Sequence, residues 1–108
     1  MSKPFKEFTT IDRVVHEPAR LSLLTALSAC ESADFLYLQR LTGLSKGNLS
    51  SHLAKLEGAG LVQIDKRFVG KMPQTIARLT DEGRTAIEQY WQQVDQLRKA
   101  SLRLAPDT

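Results

Sequence analysis

GLSKGNLSSHLAKLEGAGLV, residues 43–62, carries the punctuation that decides the fold. Gly43 is the residue type that accepts a left-handed conformation after a helix. Ser45 is a good N-cap, because its hydroxyl can accept a hydrogen bond from a free backbone N–H. Between Ser45 and Gly58, the residues Leu49, Leu53 and Leu56 recur at i, i+4 and i+7, a narrow apolar stripe at helical period. Gly58 and Gly60 stop the run. A helix closed by Gly43, a short turn filled by Leu44 and a second helix capped by Ser45 make a helix-turn-helix.

Upstream, Phe35 to Thr42 reads as the first helix of that pair, with Leu38 and Leu41 inward. The small and polar residues 31–34 read as a break. A main helix spans about Pro18 to Ala29, since proline is tolerated in a first helical turn. Leu21, Leu24 and Leu27 share one of its faces and Leu23 widens it. Ile11, Val14 and Val15 suit a short helical turn ahead of Pro18, and residues 1–6 read as a polar tail. Downstream the period changes. Val62, Ile64, Lys66 and Phe68 alternate with Gln63, Asp65 and Arg67, the two-residue period of a strand. Residues 69–73 carry the Gly and Pro of a hairpin loop, and Gln74 to Leu79 reads as the return strand. Thr80 caps a last helix whose first turn holds Asp81 and Glu82, favourably placed against its positive end. Ile87, Tyr90, Val94, Leu97, Ser101 and Leu104 recur along it at alternating steps of three and four, and Pro106 ends it. The fold class is mainly α with a small β-hairpin (α+β), in the order α-α-α-β-β-α.

A chain of 108 residues, 42% hydrophobic and 25% charged, is one ordinary globular domain. Its apolar runs fall far short of the roughly 20 residues of a membrane helix, and its opening residues hold no apolar signal core. One cysteine, Cys30, excludes an internal disulfide and a Cys-rich zinc site. These features describe a small, soluble, cytoplasmic domain without a membrane partner. The net charge of +3 is uninformative until it is resolved along the chain. From Arg40 to Arg78 the basic residues are Arg40, Lys46, Lys55, Lys66, Arg67, Lys71 and Arg78, against only Glu57 and Asp65, a local excess of +5. The flanks are mildly acidic.

The second helix of a helix-turn-helix can enter the DNA major groove, whose width admits one helix. At about 100° per residue, Gly47, Ser51 and Ala54 point directly away from the leucine stripe, with Asn48 and Lys55 beside them. Small side chains there allow close approach to base edges. Asn48 can donate and accept toward a base, and Lys46 and Lys55 can neutralise phosphates. Ser45 and Ser50 complete the candidate reading set. His52 lies between the stripe and the outer face, where it serves either packing or DNA contact. Arg67, Lys71 and Gln74, at or beside the hairpin tip, are within reach of phosphates or a neighbouring minor groove.

The run at residues 43–62, the hairpin FVGKMPQTIARLT (68–80), LTDEGR (79–84) and HEPARLSLL (16–24) together resemble the winged-helix transcriptional regulators of the MarR/ArsR type, in particular their compact single-domain branch. The resemblance covers about Ile11 to Tyr90. It implies a winged helix-turn-helix, with the helix-turn-helix at about 35–58 and the wing at about 61–79. It also implies a homodimer and double-stranded operator DNA as partner. The metal-sensing branch carries a Cys-x-Cys motif near its recognition module, and no cysteine stands there in this chain. His16 and His52 lack metal-ligand spacing, so neither metal nor cofactor is implied. Relatives that bind small aromatic ligands are usually longer, and this chain offers no support for a small-molecule effector.

The last helix, from about Asp81 to Leu104, would run roughly 36 Å, longer than one small domain needs. Its apolar stripe of Ile87, Tyr90, Val94, Leu97, Ser101 and Leu104, with Trp91 nearby, is expected to form a two-fold interface with Ile11, Val14 and Val15 of the first helix, the two helices spanning about 81–105 and 11–29. A two-fold dimer presents two recognition helices, so its operator is an inverted repeat with half-sites about 10–10.5 bp apart. The alternative is a winged helix that docks on a protein, which predicts apolar or acidic residues on the exposed face of the third helix. Lys46, Asn48, Ser51 and Lys55 argue against it. Catalysis is excluded: Ser50, Ser51 and His52 are consecutive, and neighbours on a helix diverge by about 100°, so they cannot pair as nucleophile and base.

Overall fold

A computed structural model describes residues 5–104. The elements are α1 (Lys6–Thr9), α2 (Pro18–Ser28), β1 (Ala33–Asp34), α3 (Phe35–Thr42), α4 (Lys46–Gly58), β2 (Val62–Val69), β3 (Met72–Leu79) and α5 (Asp81–Arg103). Four of the helices start on an oxygen from their own N-cap, which satisfies backbone N–H groups that have no partner inside the helix. Asp34 Oδ1 accepts from Tyr37 N at 2.7 Å, Ser45 Oγ from Asn48 N at 3.2 Å and Thr80 Oγ1 from Gly83 N at 2.9 Å. Glu17 caps α2 with both carboxylate oxygens, accepting from Ala19 N at 3.0 Å and Arg20 N at 2.9 Å. Gly43 follows α3 in the left-handed region, at φ 73°.

The core forms where the helical stripes meet. Leu23, Leu24 and Leu27 of α2 pack with Leu38 of α3, with Leu49, Leu53 and Leu56 of α4 and with Ile87 and Tyr90 of α5. Leu61, Val62 and Ala77 close it from the sheet side. The sheet is antiparallel in the order β1-β3-β2. In it Val62 pairs with Leu79 and Val69 with Met72. α1 lies against α5.

Five features differ from the sequence-based expectation. Residues 11–17 are not helical, and the helical turn lies earlier, at α1. The side chain of Asp12 instead takes the N–H of Val14 at 2.8 Å to form a turn, and Glu17, which precedes a proline, is extended at φ −152° and ψ 132°. The break at 31–34 contains a strand, because Ala33 and Asp34 pair with Ala77 and Ile76. Leu41 faces outward at 54% exposure. The covered stripe of α3 is Phe35, Leu38, Gln39 and Thr42, spaced i, i+3, i+4, i+7, and Leu41 lies to one side of it. The hairpin loop is shorter than residues 69–73: the strands run on to Val69 and Met72, and only Gly70 and Lys71 connect them. Gly70 has φ 63° and Lys71 a negative φ, the pattern of a type II′ turn. Finally, Val15, Ile87 and Tyr90, expected at a subunit contact, are buried in the core of the single chain. The start of the polar tail (residues 1–4) and Pro106 lie outside the described residues.

The junction of β3 with α5 is tight. Thr80 N donates to Leu61 O at 3.1 Å, and Thr80 Oγ1 donates to Gly60 O at 2.6 Å while it caps the helix. Gly83, in the first turn, is buried so closely against Leu61 that an added Cβ would collide with the Leu61 carbonyl, backbone that cannot step aside. Gly83→Ala is therefore expected to destabilise the fold by about 3 kcal/mol or more, measured by urea unfolding. Gly47→Ala, at a helical glycine with open space around it, serves as the control and is expected to hold or raise stability.

Candidate nucleic-acid interface

α4 is held by one side and free on the other. Leu49, Leu53 and Leu56 are buried, whereas Ser45, Lys46, Gly47, Asn48, Ser50, Ser51, Ala54 and Lys55 are all exposed. The outward set expected of a reading helix is thus brought onto one surface. Gly47 has nothing near its Cβ position, so the start of that surface is flat backbone. Ser50 and Ala54 border a small cleft against Ile64, Lys66 and Thr75 of the hairpin, which makes helix and hairpin neighbours on this side.

The hairpin residues converge through register. Arg67 lies opposite Gln74 on β3, and Arg67 Nε donates to Gln74 Oε1 at 3.0 Å. Arg78 Nε donates likewise to Gln63 Oε1 at 3.2 Å across the pair nearer the base. Lys71 sits in the turn itself and is exposed.

His52 is the member of the predicted set that turns inward. Its position with Leu49, Leu53 and Leu56 completes an i, i+3, i+4, i+7 face, and it is half-buried toward α2. Arg20 Nη1 lies 3.2 Å from its Nδ1 and Glu17 Oε2 lies 3.5 Å from the same atom. Arg20 also donates from Nε to Val14 O at 2.7 Å and from Nη2 to Arg13 O at 3.4 Å. One guanidinium therefore joins the segment before α2 to α4. Neither Glu17 nor Arg20 stood out in the sequence; the Glu-Pro pair ahead of α2 was the one local sign of a cap there.

A family model described as a winged helix DNA-binding domain matches residues 19–98. The chain belongs to this family. The hairpin is accordingly its wing. An uncharacterised protein of Methanocaldococcus jannaschii is 33% identical over 87 residues, covering 81% of this chain and 95% of its own. A transcriptional regulator homologue from Pyrococcus horikoshii OT3 matches with TM-score 0.74 and 28% identity, over 97% of this chain and 100% of that one. A MarR family transcriptional regulator from Streptomyces coelicolor, solved in complex with DNA, matches with TM-score 0.66 and 24% identity, over 89% and 64%. At that identity the likeness shows the fold alone. The Pyrococcus horikoshii and Streptomyces coelicolor neighbours are both described as transcriptional regulators or their homologues.

Away from α4 and the wing, the winged helix leaves a second surface open along α5. Trp91, Leu102 and Leu104 are exposed, Val94 and Leu97 half-buried and Ser101 exposed. Leu102 lies outside the heptad spacing that picked out the others. Ile11 and Val14 are half-buried against the core. Tyr90, with Val15 and Ile87, stays inside; its hydroxyl is 3.0 Å from His16 Nδ1, and the Trp91 ring meets it edge-on at 5.3 Å. Cys30 is half-buried, with Sγ 3.4 Å from Ala26 O. Among the described residues no group of His, Cys, Asp and Glu is placed to hold a metal ion.

Burial pushes the Glu17 carboxyl up, but the N–H bonds from Ala19 and Arg20 and the charges of His52 and Arg20 outweigh it and hold the pKa below the usual 4.5. A carboxyl lowered in the folded state stabilises above its unfolded value and loses that contribution as pH falls through the folded one. The stability gap between wild type and Glu17→Gln is therefore expected to be level above about pH 4.5 and to narrow below it, read from urea unfolding across that range.

Proposed function

We propose that this chain is a sequence-specific transcriptional regulator that binds an inverted-repeat operator as a homodimer. α4 lies in the major groove, and the wing lies on the backbone or in the minor groove. The observation that carries this reading is the exposed face of α4, small at Gly47, Ser51 and Ala54, polar at Asn48 and cationic at Lys46 and Lys55, continuous with a basic wing. A helix meant for the major groove needs this combination: close approach, a group that reads a base edge and cations for the flanking phosphates. The Streptomyces coelicolor regulator of the same fold, solved with DNA, supports it. Bound to DNA, the protein works in the cytoplasm; among the described residues no helix is long and apolar enough to cross a membrane.

Within this reading, Ser45, Lys46, Gly47, Asn48, Ser50, Ser51 and Lys55 form the recognition surface and Arg67, Lys71 and Gln74 the wing contacts. His52, tied to Arg20 and Glu17, sets the position of α4 from behind. The dimer forms along α5 through Trp91, Val94, Leu97, Ser101, Leu102 and Leu104, with Ile11 and Val14 at its edge. Val15, Ile87 and Tyr90 support that surface from the core. An exposed apolar strip of this kind on a helix of 23 residues, about 34 Å long, favours a covering partner, and a two-fold copy supplies one.

Selection of bound duplexes from a random pool is expected to return an inverted repeat with half-sites about 10–10.5 bp apart. On the selected site, Lys55→Ala is expected to weaken binding across sequences and lower the salt slope by about 1, whereas Asn48→Ala blurs preference at one base position. No binding at low salt would sink the reading. Trp91→Ser with Leu102→Asp is expected to give a folded monomer by sedimentation that no longer prefers the paired half-sites; a dimer of unchanged affinity would place the subunit contact elsewhere.

A further inference from the structure

Basic contacts alone leave the wing tip unexplained. Phe68 is 73% exposed, Met72 70% and Val69 58%, three large apolar side chains within one short hairpin end. Register sets Phe68 opposite Pro73 and Val69 opposite Met72. Successive residues of a strand point to opposite faces, so each face of the tip carries one apolar pair, and the domain cannot cover both. Exposed apolar strand ends are normally blunted by charge. Here the charge that surrounds the pairs is of one sign: Lys66, Arg67 and Lys71, with no acidic residue from Lys66 to Thr75.

The Val69/Met72 side also borders a cleft of about 460 Å³. Phe35 and Leu36 at the start of α3 form its opposite wall, and Lys46, first residue of α4, stands at its edge. Asp34 is the only carboxylate in the lining, and its Oδ1 is engaged by Tyr37 N at 2.7 Å. The start of α3 and the wing therefore wall a mostly apolar channel, and α4 reaches its edge through Lys46.

We propose that the wing tip is an apolar wedge for the DNA minor groove and that the cleft seats the sugar–phosphate strand dividing that groove from the major groove read by α4. This rests on the DNA-binding reading above. With α4 in the major groove, the adjoining minor groove falls to the wing, and the strand between the grooves has to pass between them. Deoxyribose presents apolar faces to Leu36, Val69 and Met72, and Lys46 meets a phosphate. Phe68, on the face opposite Val69 and Met72, leads into the groove, where an inserted Phe side chain unstacks a base step and kinks the duplex. A second copy of the chain fits the tip less well: it would bring one basic tip against another basic face, and α5 already offers the apolar strip for self-association.

The test uses a selected duplex carrying fluorophores at both ends, with wild type, Phe68→Ser/Met72→Ser, Met72→Leu and Lys71→Ala. The double serine variant is expected to bind about tenfold or more weakly, with an unchanged salt slope and a straighter duplex by energy transfer. Met72→Leu keeps both affinity and bend. Lys71→Ala, by contrast, lowers the slope by about 1. The side chains removed are exposed, so the unfolding midpoint is expected to hold, and Phe68→Ser alone repeats the test with the smaller change. A double variant with wild-type affinity and bend overturns the wedge alone, and so does a loss of affinity that appears only together with loss of the dimer. A wild-type protein that binds no duplex at low salt overturns the DNA-binding reading itself, and the wedge with it.

Discussion

Leu49, Leu53 and Leu56 hold α4 by a stripe one leucine wide. A buried leucine contributes roughly 2–5 kcal/mol against truncation to alanine, so three of them suffice to seat a helix while leaving most of its circumference free. That economy is what the rest of the molecule accommodates. A wider stripe would bury Ser50 or Ala54; a narrower one would leave α4 loose on α2. The flanking position His52 tightens the seat with a polar contact, and the outer side is left for small and polar residues.

The polar part of that seat is unusual in its reach. Glu17 caps α2 and stands 3.5 Å from His52, and Arg20 bonds two carbonyls of the segment before α2 as well as the same imidazole. Each group satisfies another, so no described buried side-chain nitrogen or oxygen is left without a partner. The orientation of α4 about its own axis, which apolar contacts specify poorly, is fixed by this directional set.

What could be read from the chain was local. Gly43, Ser45 and Thr80 act within one turn of themselves, and the change from helical to alternating period at Val62 is visible without a partner. Where the reading failed, the deciding contact lay far along the chain. Ala33 becomes a strand only because Ala77 is beside it. Helical position alone left His52 open between packing and DNA contact, and Arg20 meets it on the inner side. Leu41 was misplaced for a related reason: an eight-residue helix has room for one stripe, and only the packed core selects between two. The heptad spacing on α5 likewise merged two surfaces, since Ile87 and Tyr90 face the domain while Trp91 and Leu102 face away.

Thr80 is the only residue between the last position of β3 and the first of α5. Its backbone N–H donates to the Leu61 carbonyl, its hydroxyl donates to the Gly60 carbonyl, and the next turn presses Gly83 onto that of Leu61. A connection so short and so fully bonded has no slack and cannot act as a joint. The hairpin and the long helix are therefore one bent rod. The angle between shaft and hairpin is thus built into the chain itself and does not depend on a partner to set it.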